Sequence, residues 1–245
     1  INSAWVYILK SRINVIRIGT SGYTYSWNRK KPSSFQWYIN QGFNSVEINA
    51  SYYRFPMESW INTWLSAAPP NFTFSIKVSR YITDYARLKG QTAVQLWNKF
   101  SKILDKISDK IEFWLFKMPT SFRYTLENLE IVRKFLTNTR LDNNKTVLEF
   151  RDSSWWEIID KIAEIGIIFC SVDAPGLPRT RIVTNNAMYL RGCKKWYSYI
   201  YSNTELDTMI SSVKKLKADR KAIYLNNDHG MLENGLYLLK NLKPA

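Results

Sequence analysis

Charged residues stand at the ends of successive apolar segments in this chain: Glu47, Lys77, Glu149, Asp173 and Arg191. A segment apolar on both sides tolerates a charge only when it is paired or put to use. Glu47-Ile-Asn49 alternates, so Glu47 and Asn49 share one side of an extended strand. Lys117, Arg151 and the run Asn226-Asn-Asp228 close other segments in the same way. Five strands delivering charge to one end predict a shared site. The competing structural reading is a ring of mutual ion pairs.

The residue types narrow the chemistry. Lys77, Arg151 and Arg191 suit phosphate binding or stabilisation of developing negative charge. Glu47 and Glu149 suit an acid/base pair, with Asp173 as a third catalytic carboxylate. With Asp228 these acids also offer oxygen ligands to a divalent ion such as Mg²⁺, though no metal site is specified. Asn49, Tyr52, Arg80, Trp155, Asn226, Asn227 and Asp228 are the expected substrate contacts. The loops add Arg54, Arg179, Arg181, Lys194 and Lys195, interleaved with Tyr23, Tyr25, Tyr53, Tyr81, Trp196 and Tyr197. Cations that hold phosphates beside aromatic faces that stack on bases or sugar rings suit nucleic acid.

Other chemistries fit poorly. Gly19-Thr-Ser-Gly22 lacks the Gly-Lys-Ser/Thr ending of a phosphate-binding loop and reads as a tight strand-to-helix turn. Ser21 has neither the nucleophile-elbow context nor a histidine partner. His229 is the single histidine, and Cys170 and Cys193 are the two cysteines, so a zinc cluster is not expected. Glu47 with Glu149 would serve a glycosidase only at a defined separation.

Positioning these residues requires eight β-rich segments: Val15–Gly19, Ser45–Asn49, Thr73–Val78, Glu112–Met118, Thr146–Arg151, Ile167–Asp173, Ala187–Arg191 and Ala222–Asn226. Several are near-continuous apolar runs, as parallel strands covered on both faces require. Helical spacing falls between most of them, at 32–41, 58–67, 92–108, 126–136, 154–165, 204–216 and 232–242. Ser154-Trp-Trp-Glu157 has the pattern of a capping box. Pro175, Gly176 and Pro178 mark 174–186 as a loop rather than a helix. The alternation predicts one (β/α)₈ TIM-like barrel over 1–245, irregular after strand six, with 1–14 as an N-terminal extension. A doubly wound open sheet is the alternative.

Bulk properties agree. A chain of 245 residues with 45% hydrophobic residues can bury a full core. The formal net charge of +15 favours polyanionic partners. Neither a membrane-spanning stretch nor a signal-peptide pattern is evident, and two cysteines provide no disulfide framework. These features predict a cytoplasmic protein; oligomeric state is not legible.

The motifs together resemble the YecE-like family (domain of unknown function 72). The matching pieces are Ile18-Gly-Thr-Ser-Gly-Tyr23, Val46-Glu-Ile-Asn49, Tyr52-Tyr-Arg-Phe-Pro56, Lys77 with Arg80-Tyr-Ile-Thr83, Leu115-Phe-Lys-Met-Pro119 and Leu148-Glu-Phe-Arg151. Trp155, Asp173, Tyr189-Leu-Arg-Gly192 and Tyr224-Leu-Asn-Asn-Asp228 follow in family order. The resemblance implies a TIM-like barrel similar to those of endonuclease IV and sugar isomerases, but no activity. Family members commonly carry a histidine just after the strand-seven arginine, whereas this chain has Arg191-Gly-Cys193. The histidine-rich zinc cluster of endonuclease IV has no counterpart.

The expected function is binding, and with it processing, of nucleic acid or a phosphorylated, nucleotide-like substrate at the C-terminal face. The enzymatic version is phosphoester hydrolysis or acid/base chemistry by the carboxylates. A non-catalytic nucleic-acid binding module and a carbohydrate or sugar-phosphate barrel are the alternatives. A mouth closed by its own ion pairs would speak against catalysis there.

Overall fold

The computed structural model describes residues 15–194 and 199–242. The expected extension 1–14 and the loop residues Lys195, Trp196 and Tyr197 lie outside them. Eight parallel strands form a nearly closed barrel: β1 (Val15–Thr20), β2 (Ser45–Ile48), β3 (Thr73–Lys77), β4 (Ile111–Lys117), β5 (Thr146–Glu149), β6 (Ile168–Asp173), β7 (Ala187–Gly192) and β8 (Arg220–Leu225). The helices are α1 (Ser34–Asn40), α2 (Ala50–Tyr53), α3 (Glu58–Ala67), α4 (Gly90–Ile103), α5 (Leu126–Thr139), α6 (Ile159–Ile165), α7 (Asn203–Lys215) and α8 (Met231–Leu242). A π-helical turn, Tyr81–Tyr85, follows β3. Among the described residues, no helix is long and apolar enough to cross a membrane.

The expected loop after β6 is present, and no helix forms between β6 and β7. Its place on the barrel is taken by chain that bonds back to β6. The Ile182 N–H donates to Ser171 Oγ at 2.9 Å, and the Phe169 N–H to Thr184 Oγ1 at 2.7 Å. The capping box expected at Ser154–Glu157 is not formed. A 3₁₀ segment, Ser153–Ile158, runs there instead, started by Asp152 accepting the Ser154 N–H. Ser202 and Glu205 form a capping box at the start of α7.

Strand alternation divides the side chains into two layers. Phe113, Leu115, Val147, Ile168, Cys170, Val172, Tyr189 and Tyr224 fill the barrel interior. The opposite faces, among them Ile18, Phe74, Phe116, Leu148, Phe169, Leu190 and Ile223, pack under the helices.

The ladder is open between β1 and β2, where, among the described residues, only Ser21 and Glu47 pair directly. Side chains bridge the rest of that seam. Asn44 accepts the Ile18 N–H and donates to the Ile16 carbonyl, both at 2.8 Å. The Tyr38 hydroxyl accepts the Thr20 N–H at 3.0 Å and donates to the Ser45 carbonyl at 2.9 Å. Such bonds meet the requirement that buried backbone groups be paired. Gly19 permits this approach, because a Cβ there would lie 2.3 Å from the Ser45 carbonyl oxygen.

Candidate functional site at the barrel mouth

The register of the inward-facing residues decides what meets at the mouth. Glu47, Lys77, Glu149 and Arg191 all point inward at the C-terminal ends of β2, β3, β5 and β7. Arg191 lies at the centre with its side chain fully buried. Its Nε–H donates to Glu47 Oε2 at 2.9 Å and its NH2 to Glu47 Oε1 at 2.7 Å. The NH1 group donates to Glu149 Oε2 at 2.7 Å, and NH2 also reaches Ser21 Oγ at 3.1 Å.

Both carboxylates are equally enclosed. Glu47 accepts further bonds from the hydroxyls of Ser21 and of Tyr189, the latter at 2.8 Å. Glu149 accepts from Arg151 Nε through its other oxygen. Burial by itself pushes the Glu149 carboxyl up, but Arg151, Arg191 and Lys77 outweigh it and hold the group down at about 2. For Arg191 burial acts to lower the pKa, and Glu149 and Glu47 raise it well above the ordinary value.

The ion-pair reading therefore describes this inner layer. Arg191 stands between the carboxylates where a sugar ring would have to sit, and its guanidinium is committed to protein acceptors. Expectations of substrate phosphate on Arg191, and of Glu47 and Glu149 as an open acid/base pair, do not match this geometry.

Lys77 lies above that layer. Its Nζ donates to Asn49 Oδ1 at 2.8 Å and stands 4.3 Å from the centre of the Tyr52 ring. Burial and the neighbouring Arg191 charge lower its pKa to about 7, against the opposing effect of Glu149 and Glu47. Lys117 Nζ donates to the Tyr52 hydroxyl at 2.9 Å and to Asp84 at 3.3 Å, and Tyr52 also bonds Asp84.

Arg80 extends the mouth outward. Its guanidinium carbon is 5.8, 6.0 and 5.9 Å from the ring centres of Tyr53, Tyr81 and Tyr85. Those tyrosines are 54%, 43% and 63% exposed, and Arg80 Nε is buried without an acceptor. Beside them a cavity of about 430 Å³ is lined by Tyr23, Tyr25, Asn49, Tyr53, Arg54 and Trp60. Arg54 lies over the Trp60 ring at 4.6 Å. Ser21 and Gly22, the end of the turn Gly19-Thr-Ser-Gly22, line it too: Gly22, at φ +94°, turns the chain and donates its N–H to the Glu47 carbonyl at 2.7 Å.

Other expected site residues lie elsewhere. Trp155 is fully buried, stacked 3.9 Å from Phe150 and 5.7 Å from Phe122, with its indole N–H on the Phe122 carbonyl at 2.7 Å. It is core, not a substrate contact. Asp173 pairs in register with Gly192, one step beyond the pair of Val172 with Arg191. Val172 therefore shares the interior with Arg191, and Asp173 faces the helices, where Tyr201 donates to it at 3.0 Å. Asn226 is buried and donates to Cys193 Sγ at 3.7 Å. Asn227 ties Tyr199 and Asn234 to the β8 end at 2.7 and 2.9 Å. Asp228 lies at the rim, its carbonyl accepting the Trp27 indole N–H at 3.2 Å. The four acids weighed as Mg²⁺ ligands are not gathered. No group of three or more His, Cys, Asp or Glu side chains suited to a metal ion occurs among the described residues.

Sequence reasoning missed Tyr189 and Asp84. Tyr189 had a legible signal, because it stands two residues before Arg191 on the same face of β7. Asp84 had none, since its partner Lys117 is on a different strand.

Fold and mouth together define a (β/α)₈ barrel with a buried Arg–Glu layer beneath an aromatic, basic rim. The chain belongs to the family described as Protein of unknown function DUF72, whose model matches residues 17–243. A DUF72 family protein from Thermotoga maritima has 23% identity and a TM-score of 0.80, covering 94% of this chain and all of its own. One from Enterococcus faecalis has 20% identity and a TM-score of 0.80, covering 94% and 96%. No curated protein matches the sequence.

Proposed function

We propose that the barrel mouth binds a nucleotide unit of single-stranded nucleic acid. The observation that carries this reading is the placement of Arg80 among three exposed tyrosines, beside an aromatic cavity. Exposed tyrosine rings stack on bases of any sequence, and a guanidinium or ammonium beside them takes the phosphate. The cavity has the size usual for a small-molecule site, within about 300–1,000 Å³. A net charge of +15 adds long-range attraction for a polyanion.

This is a binding reading. Glu47 and Glu149 accept bonds through both of their oxygens, which opposes their use as a catalytic pair. At the mouth, burial and the Arg191 charge bring the Lys77 ammonium down to about 7. Cys170 and Cys193 are free and buried, which fits a reducing compartment such as the cytoplasm.

Fluorescence anisotropy with a labelled oligothymidine, titrated at several salt concentrations, tests the proposal. The expected result is affinity that falls with salt and is competed by unlabelled single strands better than by heparin, which has charge but no bases. Equal competition by heparin would show that bulk charge alone binds the strand.

A further inference from the structure

The outward turn of Asp173 leaves it in a different cavity, of about 300 Å³, between the end of β6, the 174–186 loop and α7. Arg179, Arg181, Lys194, Tyr201 and Glu205 line it with Asp173. Lys194 and Glu205 pair with each other. Arg179 Nε approaches Asp173 Oδ1 only to 3.5 Å, and 65% of its side chain is exposed.

Two buried polar atoms in this cavity have no hydrogen-bond partner. Asp173 is 6% exposed, yet its Oδ1 has no donor; Tyr201 serves Oδ2 alone. Arg181 has no acceptor at Nε, although its NH1 donates to the Arg179 carbonyl at 2.9 Å. A buried acceptor or donor left unmet is destabilising, more so when it is charged. A donor and an acceptor left open in one small cavity are complementary to a ligand that supplies both.

Charge specifies the ligand further. With Lys194 set against Glu205 and Arg179 nearest Asp173, Arg181 has no carboxylate at ion-pair distance among the described residues. Burial pushes its guanidinium pKa down, and the Asp173 charge opposes that. An anion entering here would relieve that strain on the charged form. The Met209 side chain on α7 adds an apolar wall.

We propose that this cavity is a second binding site, for a small oxyanion carrying a hydroxyl, of the hydroxy-acid or sugar-phosphate class. The oxyanion sits on Arg181 and Arg179, and the hydroxyl donates to Asp173 Oδ1. The site is on the opposite side of the strand from the Arg191 layer, so it stands independently of the nucleic-acid reading.

Calorimetric titration with D-glycerate and with glycerol 3-phosphate, against inorganic phosphate and glycerol as half-ligands, tests it. One of the two complete probes should bind at least about tenfold more tightly than either half-ligand. Arg181→Gln should abolish that preference, and Asp173→Ala, which removes the acceptor, should reduce it to the affinity of the anion alone. Phenylglyoxal labelling of the unsubstituted protein, mapped by mass spectrometry, adds a readout that needs no variant. The tighter probe should slow modification of Arg181 about fivefold or more while leaving Arg80 unchanged. Absence of binding by both complete probes, no preference over the halves, or equal Arg181 labelling with and without probe would each overturn the proposal.

Discussion

Arg191 and Glu47 meet side-on inside the barrel, with Nε and NH2 each donating to a separate carboxylate oxygen at 2.9 and 2.7 Å. A bidentate pair of this kind fixes both side chains in register. Because Glu149 takes the third side of the same guanidinium, removing the arginine leaves two enclosed carboxylates without their common cation. Arg191→Met is expected to lower unfolding free energy by about 3–5 kcal/mol, read by urea denaturation. Adding Glu47→Gln to that variant should cost much less than Glu47→Gln alone costs the parent, because the two sites act as one unit.

Acid sensitivity follows from Glu149. Its carboxyl falls from 4.5 to about 2 in the folded protein, so its stabilising effect is complete above the unfolded value. That contribution, on the order of 3 kcal/mol, is lost as pH falls from about 4.5 towards 2. Glu149→Gln should be less stable at neutral pH and should have a flatter stability profile across that window, measured by denaturant titration at each pH.

The β1–β2 seam gives a stability test that does not alter the Arg191 layer itself. Gly19→Ala forces a methyl group into the Ser45 carbonyl and should cost about 3 kcal/mol. Tyr38→Phe removes one hydroxyl that bridges both strands and should cost about 1–3 kcal/mol. Thermal unfolding of both variants checks the ordering, with Gly19→Ala the less stable.

Much of this was legible in the sequence. Parallel strands covered on both faces declare themselves as apolar runs, and charges ending such runs mark one rim, so the barrel and the convergence of Glu47, Lys77, Glu149 and Arg191 followed. The direction of each charge did not. Asp173 ends its strand as the others do, but the one-residue register against β7 turns it outward. Trp155 follows β5 in a motif rich in polar residues, and only the tertiary stack of Phe150 and Phe122 shows it to be core. Pairing is the least legible part, since Arg151, Arg191 and Glu149 look like independent ligand contacts until their atoms are placed.

Lys77 should make ligand binding depend on pH. Its folded pKa of about 7 lies far below 10.5, so between those values the unfolded chain holds more protons and stability rises with pH. Its positive charge at the mouth is lost as pH rises through about 7. Oligothymidine affinity should therefore weaken as pH passes upward through about 7, and Lys77→Met should flatten that change. Anisotropy across the pH series provides the comparison.

The most direct test of the mouth as a nucleotide site is the oligothymidine affinity of a Tyr53→Ala, Arg80→Gln double variant at fixed salt. Both residues are at the rim, away from the buried ion-pair layer, so far-ultraviolet circular dichroism and thermal unfolding should match the parent. An affinity loss of about tenfold or more is expected, because one stacking face and one phosphate contact are removed. An affinity equal to that of the parent in a folded variant would contradict it.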